Sequence, residues 1–391
     1  MARTGPLQRA TPPLLKNLNE RTVLEAIRAG APISRAEISR RAGISKPTVS
    51  QALQSLVAAG LVRETPHEPD GPSYGAVYFE PVAEAALVLG LDLGARFLRS
   101  ALCDLEGEIR ARRDVELRAP ATETTLELAP GLLHSLVDAT GLEAGAIDTV
   151  VVGVPGVVDA GTGVVRVTHM TDLDGRPFGL ELAERLGLPV MLENDVNLAA
   201  LGEQWLGVAR GVDDFAFLSV GTGMGCGLVL RGELHRGRHG AAGEIDYALI
   251  GLGQEVDPSA GAVSDLADQV ADGSFPGLTP PYDVREIFAA ARGGNAVARK
   301  VVDEVAHRIA LHLGAIGAVA DVELCVLGGG HGANGDLLLE PVRRQLADWL
   351  PYPPRVEISS LGDAAVLTGA LAVGRQAALD NVFANRRRSG G

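Results

Sequence analysis

The 391-residue sequence predicts an α/β protein: a winged helix-turn-helix head followed by a two-lobed body. Three observations carry this reading. Two capped helical patterns flank a glycine turn between residues 34 and 59. Apolar runs ending in glycine recur near residues 92, 221 and 328. The composition is 46% apolar but only 4% aromatic, with 49 glycines, so the cores are built from Ala, Val and Leu around tight strand–helix turns.

The head is expected to cover residues 1–81. After a Pro-containing arm, Leu14 to Ala29 carries Leu18, Val23, Leu24 and Ile27 at helical spacing. Ser34-Arg35-Ala36-Glu37 reads as a capping box opening a helix through Arg41, and Ala42-Gly43-Ile44-Ser45 as a turn. Ser45 then caps a second helix, with Pro47 tolerated in its first turn and Gly60 stopping it. Val49, Leu53 and Leu56 would face inward. Lys46, Thr48, Ser50, Gln51 and Gln54 would face outward, with Arg35 on the helix before, and these types suit groove edges and phosphates. Leu61–Glu64 and Ala76–Phe79 read as the two strands of a wing around a turn-rich stretch. A protein-binding helical hairpin is the plainer alternative. The charge favours DNA: residues 1–66 hold a balance of +6 within a chain of net charge −14. So small a reader needs a dimer on a two-fold site.

In the body, Ala86–Asp92, Leu98–Asp104 and Glu108–Leu117 read as three strands. Phe215–Val220 and Cys226–Leu230 flank Gly221-Thr222-Gly223-Met224-Gly225. The two strand–turn–strand units suggest two lobes of related design. The glycine turns could cradle a phosphate or could be plain tight turns, because a P-loop's Lys-Ser/Thr is missing. Pro189–Leu192 reads as a strand that empties into Glu193-Asn194-Asp195 and then into a helix. Asn194 or Asp195 is a natural N-cap, and polar groups at the carboxyl end of such a strand also sit where α/β proteins bind small ligands. The stretch alone leaves both readings open. Cys103, Cys226 and Cys325 form neither a disulfide framework nor a CxxC pair, and no run reaches the length of a membrane span. With no apolar stretch at the start of the chain, a cytoplasmic location and no membrane partner are expected.

Four ordered motifs then make the reading specific: VGVPGVVD around Gly153, LENDVNLAALGE around Asp195, SVGTGMGCGLVLRGELHRGRHGAAGEI ending on Glu244 and Ile245, and LGGG at Leu327–Gly330. Together they resemble the ROK family of repressors, open reading frames and sugar kinases. The head resembles that of its xylose and N-acetylglucosamine repressor branch. The resemblance implies an actin-like fold with one lobe over residues 84–200, a second over 201–363, and a C-terminal helix near 364–378 returning to the first. It implies a homodimer or homotetramer. It also implies sugar contacts from Asn194, Asp195, Glu244 and the backbone at Gly153, with a looser match at Asp172 or Asp174. In the family's kinases the counterpart of Asp195 is a base toward the phosphorylated hydroxyl, chemistry open to any well-placed carboxylate.

Three departures bear on function. The kinases' DxGGTK loop is here Asp92-Leu93-Gly94-Ala95-Arg96-Phe97, so Asp92, Gly94, Gly221, Thr222 and Gly223 are read as vestigial phosphate loops. Asp246-Tyr247 replaces Gly-His, and no cysteine follows. The three or four Cys/His ligands of the relatives' zinc are therefore missing, although Tyr247 could take a hydroxyl contact. Gly71-Pro72-Ser73-Tyr74-Gly75 lacks the wing arginine that enters the minor groove, leaving such a role to Arg3 or Arg9. The expectation is a sugar-responsive DNA-binding regulator, most simply a repressor, with operator DNA and a carbohydrate effector as partners. It would have no catalytic residue, no cofactor and no metal. The alternative is an ATP-dependent sugar kinase with an appended DNA-binding head.

Overall fold

The computed structural model describes residues 12–66, 77–94, 96–118, 121–159, 161–168, 170–248, 255–272 and 275–389. The arm with Arg3 and Arg9, and the wing tip from Gly71 to Gly75, lie outside them.

The head forms as its caps dictate. Helix α1 (Pro12–Arg28) is followed by β1 (Ile33–Ser34), α2 (Arg35–Ala42), α3 (Lys46–Ala58), β2 (Val62–Thr65) and β3 (Tyr78–Pro81). Ser34 Oγ accepts from Glu37 N at 3.3 Å and Ser45 Oγ from Thr48 N at 3.4 Å, so each helix starts at its expected cap. The reciprocal half of the capping box is replaced: the Glu37 carboxylate pairs with Arg40 and Arg41. Strand β1, too short to show a period, adds a third strand in the order β1-β3-β2. Ile27, Ile38, Val49, Leu53, Leu56 and Phe79 close the core beneath.

The body continues with β4 (Leu87–Leu93), β5 (Phe97–Asp104), β6 (Ile109–Glu116), α4 (Ala121–Thr140) and β7 (Ile147–Val154). The short β8 (Val157–Val158) and β9 (Val165–Arg166) follow, then α5 (Phe178–Leu186), β10 (Val190–Asn194) and α6 (Asp195–Leu206). The next group is β11 (Phe215–Val220), β12 (Met224–Leu230), β13 (Glu233–Leu234), α7 (Ala260–Ala271), α8 (Val284–Arg292) and α9 (Ala296–Ala320). The chain ends with β14 (Leu324–Gly328), α10 (Gly335–Trp349), β15 (Arg355–Ile358) and α11 (Ala365–Ser389). Two five-stranded sheets result, β10-β7-β4-β5-β6 and β13-β12-β11-β14-β15.

Strand β4 shows how the layers arise. Every residue of LVLGLDL is buried, as expected of a strand covered on both faces. Leu87, Leu89 and Leu91 join Leu126, Leu136 and Phe178 of α4 and α5 on one side. Val88 points the other way, into the core shared with Leu367 and Leu371 of α11. Helix α6 packs on the second sheet, where Ala199 and Ala200 meet Phe215, Phe217 and Val229. Helices α7 to α10 cover that sheet's far side. Helices α6 and α11 are thus the paired middle layer between the sheets. The lobe boundary expected at residue 200 falls inside α6, which faces both sheets, and the C-terminal helix runs on to Ser389.

Candidate functional site

Strands β4, β7 and β10 are parallel, and their register aligns Asp92, Gly153 and Glu193 across the carboxyl end of the first sheet. This is the edge at which open α/β sheets present ligand groups. Asn194 ends β10 and is the N-cap of α6: its Oδ1 accepts from Asn197 N at 2.9 Å, while Nδ2 donates to Gly156 O at 3.0 Å. Asp195 is the first helical residue, and its Oδ1 accepts from Val196 N at 2.9 Å. Burial pushes the Asp195 carboxyl up to about 7, helped by the neighbouring charges of Asp92 and Glu244. Burial also raises Asp92 to about 6, opposed by the Arg99 guanidinium 3.1 Å away. Three acids therefore bear on one another here, and two of them hold protons unusually tightly.

The other expected ligands divide. Glu244 follows Gly243, whose carbonyl accepts from Cys226 N at 3.1 Å and holds this turn against β12. Gly153 is a glycine for packing: a methyl there would strike Val366 and Leu198 in the helix layer. Asp172 has a structural task, because its carboxylate accepts from Thr122 N at 3.0 Å and caps α4. Tyr247 stands on a short 3-10 turn with 57% of its surface exposed.

The residues that sequence reasoning missed are Glu193 and Arg236. Glu193 Oε1 accepts from Asn194 N and Asn197 Nδ2, both at 3.0 Å, while its Oε2 takes Arg236 Nε at 2.6 Å. Arg236 lies 43 positions away, after β13, on the segment leading to Glu244. One carboxylate therefore stiffens the Asn194–Asp195 turn and ties it to the opposite lobe. Arg236→Gln should weaken sugar binding about tenfold while moving the melting temperature little, because the pair is partly exposed. Calorimetric titration beside a thermal melt checks this. A loss of stability with unchanged sugar affinity would remove the positioning role.

At the phosphate end, Gly94 N donates to Phe97 O at 3.0 Å, closing a tight β4–β5 hairpin. Arg96 and Arg99 flank the Phe97 ring at 5.2 and 5.8 Å. Arg99 spans Asp92 and Asp363, the latter at 3.6 Å, so a guanidinium neutralises Asp92. Gly221 N turns inward to Gly223 O at 2.9 Å, and Thr222 is exposed.

For the segment after Tyr247, no group of His, Cys, Asp or Glu among the described residues could hold a metal ion. The segment's described end is instead gripped by three buried side chains. His312 donates to Val256 O at 2.9 Å, Arg308 to Asp257 O at 2.8 Å and His331 to Pro258 O at 2.7 Å. Burial lowers both histidines, which keeps the neutral donor form.

On the head, Lys46, Gln51, Gln54 and Arg35 are exposed as expected. Ser50 Oγ is turned back to Lys46 O at 3.0 Å, and Thr48 Oγ1 lies 2.8 Å from Ser45 Oγ. A groove of about 590 Å³ runs beside this face between α1 and α3, and it adds Lys16 and Asn19 to the surface.

Comparison with known proteins agrees with this division. The ROK family model matches residues 88–377, and the MarR family model matches residues 17–71. Over 384 residues the chain is 27% identical to a xylose repressor of Caldicellulosiruptor bescii, covering 92% of this chain and 96% of that protein. It is 28% identical over 320 residues to a glucokinase of Halalkalibacterium halodurans, covering 74% of this chain and 95% of the kinase. Among solved structures it is similar to a ROK family transcriptional regulator described as a homologue of the E. coli Mlc protein. That match has a TM-score of 0.77 and 22% identity, over 94% of this chain and 98% of the other. It is also similar to a ROK glucokinase from Streptomyces griseus in complex with glucose and AMPPNP. Here the TM-score is 0.63 and the identity 27%, over 74% and 100% of the two chains.

Proposed function

The chain belongs to the ROK family, and on that premise we propose that it is a sugar-responsive transcriptional repressor. The head holds an operator, and a sugar bound at Asn194, Asp195 and Glu244 releases it. The carrying observation is the joining of two devices in one chain: a helix-turn-helix with an exposed polar reading face, and three acids, Asp92, Asp195 and Glu244, that bear on one another at the carboxyl end of the first sheet. Sugar hydroxyls donate to carboxylates, and the binding energy counts only where the cleft is closed around them. Paired heads on a two-fold site supply specificity, so the working form is a homodimer or homotetramer in the cytoplasm. Among the described residues no helix is long and apolar enough to cross a membrane.

The glucokinase relatives favour a second reading, a kinase bearing a DNA-binding head. The Arg99–Asp92 pair speaks against it, because it commits the acid of the first phosphate loop to a side chain of the same protein.

One experiment separates the two. Duplexes selected from a random pool should bind at low salt and release about tenfold more readily with D-xylose or D-glucose. Asp195→Ala should abolish the release while the protein still selects and binds its duplex. Selection of no duplex over bulk DNA would end the repressor reading. ATP-dependent phosphorylation of either sugar, lost in Asp195→Asn, would establish the kinase.

A further inference from the structure

Helices α6 and α11 are joined more closely than packing alone requires. A methyl on Gly202 would run into Ala365 O and Gly369 N, and one on Gly369 into the carbonyl of Leu198. The backbones therefore touch where the helices cross. At the residue after Gly202 the Glu203 carboxylate, wholly buried, binds the segment that leads into α11. It accepts from Ser359 Oγ at 2.5 Å, Leu361 N at 3.2 Å and Ser360 Oγ at 3.4 Å. Close-packed helices fastened at two points move as one body.

The two ends of this body lie in different places. Helix α6 begins at Asn194 and Asp195 in the cleft. The far half of α11 reaches the head: Asp380 pairs with Arg21 of α1 at 2.6 Å, and the Arg21 guanidinium lies 5.1 Å from the Phe383 ring. Phe383 is only 4% exposed and shares one core with Val23, Leu24 and Ile27. A second strut stands beside it. Trp205, at the end of α6, packs on Gly107 and under Arg375 at 5.1 Å. Arg375 and Arg28 of α1 both donate to Leu105 O, at 3.4 and 2.5 Å, and Arg28 also holds Glu106 at 2.7 Å. The head is therefore seated on the helix pair and on the β5–β6 turn beside it.

We infer that α6 and α11 act as one lever that carries the state of the cleft to the DNA-binding head, through the contact of Asp380 and Phe383 with Arg21. The inference rests on the sugar-responsive reading above. Lever arithmetic makes it workable. From Ala365 to Phe383 the helix spans roughly 27 Å, so a tilt of about 5° at the cleft moves the far end by about 2 Å. Displacements of that size repack helical interfaces and alter the spacing of paired heads.

The test cuts the far contact and leaves both sites whole. The Asp380→Ala/Phe383→Ala variant should bind D-xylose or D-glucose as the parent does, while its operator affinity no longer responds, the ratio falling from about tenfold to near one. A ratio equal to the parent's overturns the lever. If that variant does not fold, charge exchange decides. Asp380→Arg should lose the response and Arg21→Asp/Asp380→Arg should regain it, whereas a response retained in Asp380→Arg overturns the inference. If neither sugar binds the parent, the effector reading fails for those sugars and Asp195→Asn serves as the perturbation. It should shift operator affinity in the parent but not when Asp380 and Phe383 are alanine. Equal effects in the two backgrounds, including none in either, overturn the lever independently of any sugar.

Discussion

Asp195→Asn should melt several degrees above the parent protein at pH 8 and lose that advantage as the pH falls toward 4. The Asp195 carboxyl is raised from 3.8 to about 7 by burial, with Asp92 and Glu244 adding to it. The folded state therefore keeps a proton that the unfolded chain has already released. Between about pH 4 and 7 the folded state binds more protons, so stability falls as the pH rises through that window. By pH 8 the full cost is present. Holding the proton over that whole window corresponds to an upper bound of about 4 kcal/mol, and the partial exposure of Asp195 reduces this to about 2. Asparagine keeps the acceptor for Val196 N and removes the charge, so the variant should be stabler and unresponsive to sugar. Thermal melts of both proteins across pH 4 to 8 provide the check. A difference that does not change with pH would mean that the carboxylate is not strained.

The same reasoning explains why Asp92 behaves differently. Its raised value is opposed by Arg99, so Asp92→Asn would remove one half of an ion pair and leave Arg99 to Asp363 alone. The strain is concentrated at the residue whose charge a ligand can use. Proteins commonly carry such local cost at functional sites, and it is the reason a stabilising substitution there removes function.

Local chemistry makes much of this legible from the sequence. Ser34 and Ser45 cap the helices they are expected to cap, and the strand-to-helix junction at Asn194–Asp195 falls where the apolar run gives way to polar residues. Apart from the short β8, the strands of the four motifs lie in the two five-stranded sheets. What stays hidden depends on contacts between distant positions. Asp172 reads as a ligand because nothing in its own loop reveals that α4 starts against it. Glu193 reads as the end of a strand until Arg236 comes to meet it across the cleft. Gly153 matches a pocket motif, while the space its missing side chain leaves is filled by α6 and α11. Those two helices are more than 150 residues apart in sequence, so the apolar face of α6 does not reveal that α11 is its partner.

Glu203→Ala should cost about 3–5 kcal/mol, the largest loss expected from a single side chain outside the apolar cores. Glu203 and Asp195 sit on the same helix and are both acids removed from bulk water, yet their surroundings are opposite. Asp195 is held only by backbone amides at its own helix start and has acids for neighbours. Glu203 receives two amides, Val208 N at 2.9 Å and Leu361 N at 3.2 Å, and two hydroxyls, Ser359 Oγ and Ser360 Oγ. Deleting the carboxylate takes the acceptor from four donors, of which the exposed Ser360 hydroxyl can turn to water, and empties the space between α6 and the start of α11. Ser359→Ala removes one donor and leaves the acid three, so it should cost about 1 kcal/mol. Urea midpoints for both variants measure the contrast. If Glu203→Ala unfolds at the parent's midpoint, then α6 and α11 are held together by their apolar contacts alone, and the carboxylate is not the clamp. Removing strain at one end of α6 therefore stabilises the protein, whereas removing the clamp at the other end destabilises it. If α6 and α11 act as the proposed lever, both changes should uncouple sugar from DNA, because α6 is the link that each of them alters.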